Sequence, residues 1–422
     1  MTTEDYIARL KDYVYAACVY MTREPEDCLK HPYTVPGTPD SPYYSATLWD
    51  WDSWLTGIAL GQAEKDSGGR LSFKDCEKGN VLNFLDMCTP EGYIPIAVTP
   101  GRTPRLSDGV TDRLKTNMHK PVLCQQAAAL IARSGGDAGW LGGYMPRLES
   151  YLNRYLTEFC NKDTGLLFWK DDFAVGVDND PSVFFRPQNS CGSIYLNSLM
   201  YREELAAGYI YEQLGDMERA NAWRVRADSL SKSINEYCWD ERDGCYYSVD
   251  FALNPVVPGA WLHHGAPRDY PCLLQRVDSW SIFMPLWAGL APCDRAVRLL
   301  KRAEDEATFA CGAGIRTLSR LEKCYDLRAS NNPSNWRGPT WIVANYMVFS
   351  GMVKYGFNDA AANLAQKTIR LLGRDIEVNG CLHEYYNPDT GFPIVTHKFL
   401  NWNLLVLNMI AWLEGREFID TF

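Results

Sequence analysis

The chain has 422 residues, 46% of them hydrophobic and 22% charged, and carries a net charge of −10. That balance fits a globular protein with a large core and excludes nucleic acid and anionic membrane surfaces as partners, since both demand the opposite sign. Aromatic residues reach 13%, with 14 Trp and 24 Tyr, enough for a heavily aromatic core or for flat platforms on which sugar rings stack.

The N-terminal stretch carries Glu4, Asp5, Arg9 and Lys11, so it lacks the apolar centre of a signal peptide. No segment approaches the ~20 apolar residues that span a bilayer. Fourteen cysteines are scattered singly from Cys18 to Cys381, with no C-x-x-C pair and no Cys/His group at metal spacing. The expectation is a cytoplasmic protein with reduced thiols, no metal and no cofactor.

Tyr6, Leu10, Tyr13, Val14 and Cys18 recur at spacings of three and four, which predicts a first amphipathic helix. The same periodicity predicts helices around 51–65, 74–88, 119–134, 142–160, 192–215 and 217–238, then around 278–290, 294–304, 338–355, 358–373 and 399–414. Polar turns with Gly echo between them: Pro90-Glu91-Gly92-Tyr93, Asp163-Thr164-Gly165-Leu166, Arg242-Asp243-Gly244-Cys245 and Asp389-Thr390-Gly391-Phe392. Their glycines lie 73, 79 and 147 positions apart, the last near two steps, with Gly314 near the missing position. A unit of ~75 residues holds two helices and their loops. Six such hairpins predict an all-α (α/α)6 barrel, a single domain over residues 1–422. An open helical solenoid is the competing architecture, but its repeats are short and alike, whereas these loops are long and individual.

Four segments concentrate Trp, acids and Gly. The first is Leu48-Trp49-Asp50-Trp51-Asp52-Ser53-Trp54, where Asp50 reads as a helix cap. Two acids among three Trp residues also suit an aromatic floor with a carboxylate reaching for sugar hydroxyls. The second, Gly176-Val177-Asp178-Asn179-Asp180-Pro181-Ser182, follows Trp169-Lys170-Asp171-Asp172 and by composition reads first as a turn. In the third, Asn335-Trp336-Arg337-Gly338-Pro339-Thr340-Trp341, the Arg requires a carboxylate partner if buried. The fourth, His383-Glu384-Tyr385-Tyr386-Asn387-Pro388-Asp389-Thr390-Gly391, places Glu384 among aromatics, where desolvation raises a carboxyl pKa.

Together these motifs resemble glycoside hydrolase family 63 and its neighbours, which include mannosylglycerate and glucosylglycerate hydrolases, the processing α-glucosidase of N-glycans and, more distantly, trehalase. Trp51-Asp52 is similar to the family's N-terminal Trp-Asp motif. Val177-Asp178-Asn179 with Pro181 is similar to its Gly-x-Asp-Asn-Ser-Pro loop. Trp336-Arg337-Gly338-Pro339-x-Trp341 and Glu384-Tyr385-Tyr386 with Thr390-Gly391 are similar to its later signatures. Lys120-Pro121 with Gln125, Tyr195-Leu196-Asn197 and Pro285-Leu286-Trp287 extend the likeness, which runs from about Tyr44 to Trp412. Asp180 stands where Ser is common, so two carboxylates compete for one role.

The resemblance implies inverting hydrolysis of an α-glycosidic bond, with a glucoside preferred and a mannoside allowed, Asp178 as general acid and Glu384 as general base. Trp169, Asp172 and Asp180 are the neighbours expected to keep Asp178 protonated. Trp51, Asp52, Trp54, Gln125, Trp169, Trp336, Arg337, Gly338 and Trp341 are the expected substrate-binding residues, with Arg337 expected to orient a carboxylate. Arg186 is one candidate cation for a glycerate aglycone. The partner is a small carbohydrate, and a homo-oligomer is left open. The competing functions are a sugar 2-epimerase on the same barrel, which would centre on His residues, and a non-catalytic carbohydrate-binding protein.

Overall fold

The computed structural model describes residues 2–101, 117–328 and 333–422. Twelve helices among them alternate between two concentric layers. The outer layer is α1 (Thr3–Ala17), α3 (Lys74–Asp86), α5 (Met145–Glu158), α7 (Met217–Ser233), α9 (Cys293–Ala303) and α11 (Asn358–Asn379). The inner layer is α2 (Asp50–Asp66), α4 (Leu123–Arg133), α6 (Ile194–Gln213), α8 (Met284–Ala288), α10 (Ile342–Lys354) and α12 (Val406–Leu413). Each inner helix packs on the next, and α12 packs on α2. The ring is closed, which is the (α/α)6 barrel and not an open solenoid.

Composition separates the layers. Residues 50–63 of α2 and 342–352 of α10 are buried around the whole helix, because Ala, Gly, Ser and apolar side chains cover every face. Outer helices bury one stripe: Leu148, Tyr151, Leu152 and Tyr155 in α5, and Ala296, Leu299 and Ala303 in α9.

Three predicted inner helices start later or as tighter turns. Lys120-Pro121 precedes α4, and residues Trp280–Phe283 and Asn401–Leu405 form 3₁₀ turns before α8 and α12. These irregular starts all lie on one face of the ring and project side chains into its mouth. On the opposite face the C-terminal segment crosses the barrel. Ile419 N–H donates to Gln62 of α2 at 2.7 Å, Asp420 accepts from Tyr346 and Ser350 of α10 at 3.0 and 2.7 Å, and Trp287 Nε1 donates to Thr421 Oγ1 at 2.9 Å.

The echoed turns recur in structure. Asn161 Oδ1 accepts from Thr164 N–H and Asn387 Oδ1 from Thr390 N–H, each at 3.0 Å. Both turns lead the chain from an outer helix back toward an inner one.

α4 has no cap of its own. Glu203, from the middle of α6, instead accepts from Cys124 N–H at 2.8 Å and Gln125 N–H at 3.1 Å. Burial pushes this carboxyl up to about 7 against those hydrogen bonds. Glu203→Ala leaves buried N–H groups unpaired and is expected to cost about 2 kcal/mol, seen as a lower urea midpoint, with most of the loss restored in Glu203→Gln.

Candidate active site

The site lies at the N-terminal ends of the six inner helices. Trp51 and Asp52 open α2, Lys120 precedes α4 and Tyr195 opens α6. Trp280, Trp341 and the Asn401-Trp402 pair precede α8, α10 and α12. Helix N-termini carry partial positive charge, which favours carboxylates gathered there.

The floor is a continuous aromatic stack. Trp336 lies nearly parallel to Trp341, with ring centroids 4.0 Å apart, and Trp341 stacks on Tyr385 at 4.6 Å. Trp280 covers the other side of Trp336 at 5.9 Å. Trp51 and Trp402 meet at 5.4 Å and close the floor toward α2. Trp336 and Trp341 are thus buried against other rings and, through them, hold separate loops together. Trp51 and Trp402 border the cleft at 5% and 3% exposure.

The loop carrying Asp178 is drawn against this floor by a close approach at Gly176. This residue has φ +87°, and a Cβ there would lie 2.7 Å from Lys120 Cε and 3.3 Å from the Trp51 ring. Asn179 then ties the loop to the third motif, accepting from Trp336 N–H at 2.6 Å and donating to Asn335 Oδ1 at 3.1 Å. Asp180 is buried and turned inward, where its Oδ1 accepts from Ser182 N–H and Oγ at 2.8 and 2.7 Å. Of the two competing acids, Asp178 is the half-buried one and Asp180 holds the turn.

Of the residues expected beside Asp178, Asp172 accepts from Phe185 N–H at 2.8 Å and the Trp169 ring leans on Tyr195. The charge of Asp178 reaches Glu384 and Tyr44.

Glu384 sits in the strand His383–Tyr386, paired with Pro393–His397. Thr340 and Tyr386 exchange both backbone hydrogen bonds at 2.9 Å, fixing this strand to the Trp336–Trp341 loop. Tyr44 donates its hydroxyl to Glu384 Oε1 at 2.8 Å. Burial raises the Glu384 carboxyl to about 7, Thr396 and Tyr44 oppose that by hydrogen bonding the charged form, and Asp178 adds to the rise.

Asp52 is buried beside Asp50 and near Glu384, and burial with those like charges pushes its carboxyl well above the usual range against Lys120. Asn401 donates its side-chain amide to Asp52, while Thr56 donates to the Asn401 side-chain carbonyl at 3.0 Å. Lys120 pairs with Asp50 at 3.0 Å and lies over the Trp51 ring.

The remaining expected residues fall elsewhere. Trp54 is core, edge-on to Trp287. Gln125 spends its amide protons on Pro121 and Leu199 carbonyls at 2.9 and 3.0 Å. Arg337 pairs with Asp326 at 3.5 Å. Gly338, at φ +130°, lets the Tyr325 ring pass where a Cβ would clash at 2.3 Å. Arg186 pairs with Asp250. Sequence reasoning overlooked Tyr44, Asn401 and Trp402; the dense Asn401-Trp402-Asn403 triplet was the available signal for the latter two.

The histidines form no epimerase-like pair among the described residues. His119 is buried, its Nδ1 2.7 Å from the Lys120 carbonyl, and burial lowers it to about 4. His383 pairs with Asp375, and His263 and His264 stack on each other in a surface excursion. Among the described residues no group of His, Cys, Asp or Glu could hold a metal, and no helix is long and apolar enough to cross a membrane.

A closed ring of inner and outer helices with buried carboxyls gathered over an aromatic floor is the architecture of (α/α)6 glycoside hydrolases. The chain belongs to the family of the mannosylglycerate hydrolase MGH1-like glycoside hydrolase domain, which matches residues 80–403. It is 30% identical to mannosylglycerate hydrolase MGH1 of Selaginella moellendorffii, over 90% of this chain and 82% of that protein. A probable mannosyl-oligosaccharide glucosidase of Schizosaccharomyces pombe is 27% identical over 56% of this chain, and the chain spans only 28% of that relative's length. The fold is shared with a GH63 mannosylglycerate hydrolase from Thermus thermophilus, with a TM-score of 0.66 at 20% identity over 91% of this chain and 96% of that one. It is shared also with neutral trehalase Nth1 from Saccharomyces cerevisiae, with a TM-score of 0.63 at 16% identity over 92% of this chain and 74% of that one.

Tyr44→Phe removes a donor to the charged form of Glu384. Losing that donor destabilises the carboxylate, so the Glu384 carboxyl, raised by burial to about 7 in the native protein, is expected to titrate at higher pH in Tyr44→Phe, measured by ¹³C NMR.

Proposed function

We propose that this chain is an inverting α-glycosidase, a single catalytic domain over residues 1–422 that acts on a small α-glucoside or α-mannoside. The observation that carries the reading is the pair of carboxyls in one cleft. Glu384 is buried, donor-bound by Tyr44 and sensitive to the charge of Asp178, while Asp178 remains half-exposed on a loop bonded to the same floor.

Hydrolysis with inversion needs an acid at the leaving oxygen and a base for water on the opposite face of the sugar. Asp178 protonates the glycosidic oxygen, so the C–O bond breaks with the electron pair leaving on the aglycone. Glu384 takes a proton from the water that adds to the anomeric carbon. In the free cleft, burial raises the Glu384 carboxyl and the charge of Asp178 adds to that rise. A sugar covering Asp178 strips water from that carboxyl and favours its protonated form, the form a general acid needs. Asp52, buried and shifted toward its neutral form, can both donate to and accept from sugar hydroxyls, while Trp51 and Trp402 border the ring. Membership of a mannosylglycerate hydrolase-like family supports a small glycoside, with a glucoside preferred.

Proton NMR of the protein incubated with α-glucosides and α-mannosides, including both glycerate conjugates, is expected to show the β-anomer of the free sugar first. First appearance of the α-anomer would refute inversion. Asp178→Asn and Glu384→Gln are each expected to lower kcat by at least about a thousandfold on natural glycosides. Asp180→Asn keeps an oxygen for Ser182 and is expected to retain most of the activity, and a dead Asp180→Asn beside an active Asp178→Asn would transfer the acid role.

A further inference from the structure

Glu384 lies in a strand whose residues on either side are fastened to one carboxylate from a different element. Asp375 stands near the C-terminal end of α11 and is 4% exposed. It accepts from the Tyr386 hydroxyl at 2.8 Å, lies 2.9 Å from His383 Nδ1 and accepts from Asn379 Nδ2 at 2.8 Å. The Tyr386 hydroxyl in turn accepts from His383 N–H at 3.1 Å. In a regular strand residues three apart point to opposite faces. Here the register breaks between Tyr385 and Tyr386, and such a bulge re-aims side chains. His383 and Tyr386 therefore reach one carboxylate while Glu384 faces Tyr44.

The rest of the bracket holds the same short strand. Asn403 Nδ2 donates to the His383 carbonyl at 2.8 Å, and Tyr386 is locked to Thr340. Tyr13 of α1 and Cys381 are the other titratable groups that feel Asp375, and both lie away from Glu384. Glu384 itself is faced by Tyr44, Asp52 and Asp178.

We propose that Asp375 is a positioning residue for Glu384: through His383 and Tyr386 it fixes the backbone on both sides of that residue and so sets the approach of its carboxylate to Tyr44 and to the attacking water. It touches no substrate and acts only through the strand. The inference rests on Glu384 being the base.

The test compares Asp375→Ala and Tyr386→Phe with the native protein, alone and in a Tyr44→Phe background. Two readouts are taken: kcat and KM on the substrate identified by NMR, and the titration of the Glu384 carboxyl by ¹³C NMR, its resonance assigned by loss in Glu384→Gln. Asp375→Ala is expected to lower kcat about a hundredfold with KM changed less than about threefold, because a displacement near 1 Å costs on that order. Glu384 then titrates at higher pH as it leaves Tyr44, and Tyr386→Phe moves both readouts the same way by less. In the Tyr44→Phe background Asp375→Ala adds little to the titration shift, since both act on one contact. A lowered melting temperature with unchanged kcat and an unchanged Glu384 titration would overturn the proposal and leave Asp375 a hairpin anchor. If Asp375→Ala does not fold, Tyr386→Phe decides by the same readouts. A native protein silent on every glycoside refutes the hydrolase reading, and the Glu384 titration still decides whether Asp375 sets that carboxylate.

Discussion

Removing carboxylates from water is costly unless hydrogen bonds or opposite charge replace the lost hydration, and this structure gathers Asp50, Asp52 and Glu384, all buried, with Asp178 at their edge. Most of the architecture around the cleft answers that constraint. Asp50 takes Lys120 as its ion pair, Asp52 takes the amide of Asn401, and Glu384 takes the hydroxyl of Tyr44. The six inner helices add their N-termini on the same face. What remains uncompensated shows as raised carboxyl pKa values at Asp52 and Glu384, the kind of perturbation that gathers at functional sites.

The aromatic residues serve the same end indirectly. Three segments far apart in sequence supply the acids, and each must hold its position closely. Tyr385, Trp341, Trp336 and Trp280 form one stack that joins the Glu384 strand to the chain ahead of α10 and α8. Asn179 joins the Asp178 loop to it by two hydrogen bonds at Asn335 and Trp336. The indoles of this stack are engaged in building the floor, while Trp51 and Trp402 meet at its edge toward α2. Stacking rigidity and close loop approaches at Gly176 and Gly338 are different solutions to one problem, the placement of side chains that no single helix presents.

The fold was legible because its signals are local and repeated. Apolar spacing of three and four gives helices wherever it occurs, and the echoed Gly turns mark where several outer helices hand the chain inward, two of them built on the same Asn–Thr hydrogen bond. The motifs around Asp178, Trp336 and Glu384 were legible as carboxylates and aromatics at unusual density. Their partners were not. Tyr44 stands 340 positions from Glu384 and Asn401 stands 349 from Asp52, and no pattern of spacing links residues brought together only by closing a ring.

Helical periodicity, the count of six hairpins and the residues able to carry acid–base chemistry could all be read along the chain, because each depends on neighbours within a few turns. Which of Asp178 and Asp180 stays half-exposed and which is buried was decided only by packing across the ring, through the direction in which a loop pinned by Asn179 and Ser182 turns them. The same packing assigned Trp54 to the core and Gln125 to interhelical bonding, because the face an inner helix shows is set by the helices packed against it. The pKa values of Asp52 and Glu384 follow from the same cause: desolvation is a property of everything packed around a carboxyl, and most of that arrives from distant parts of the chain.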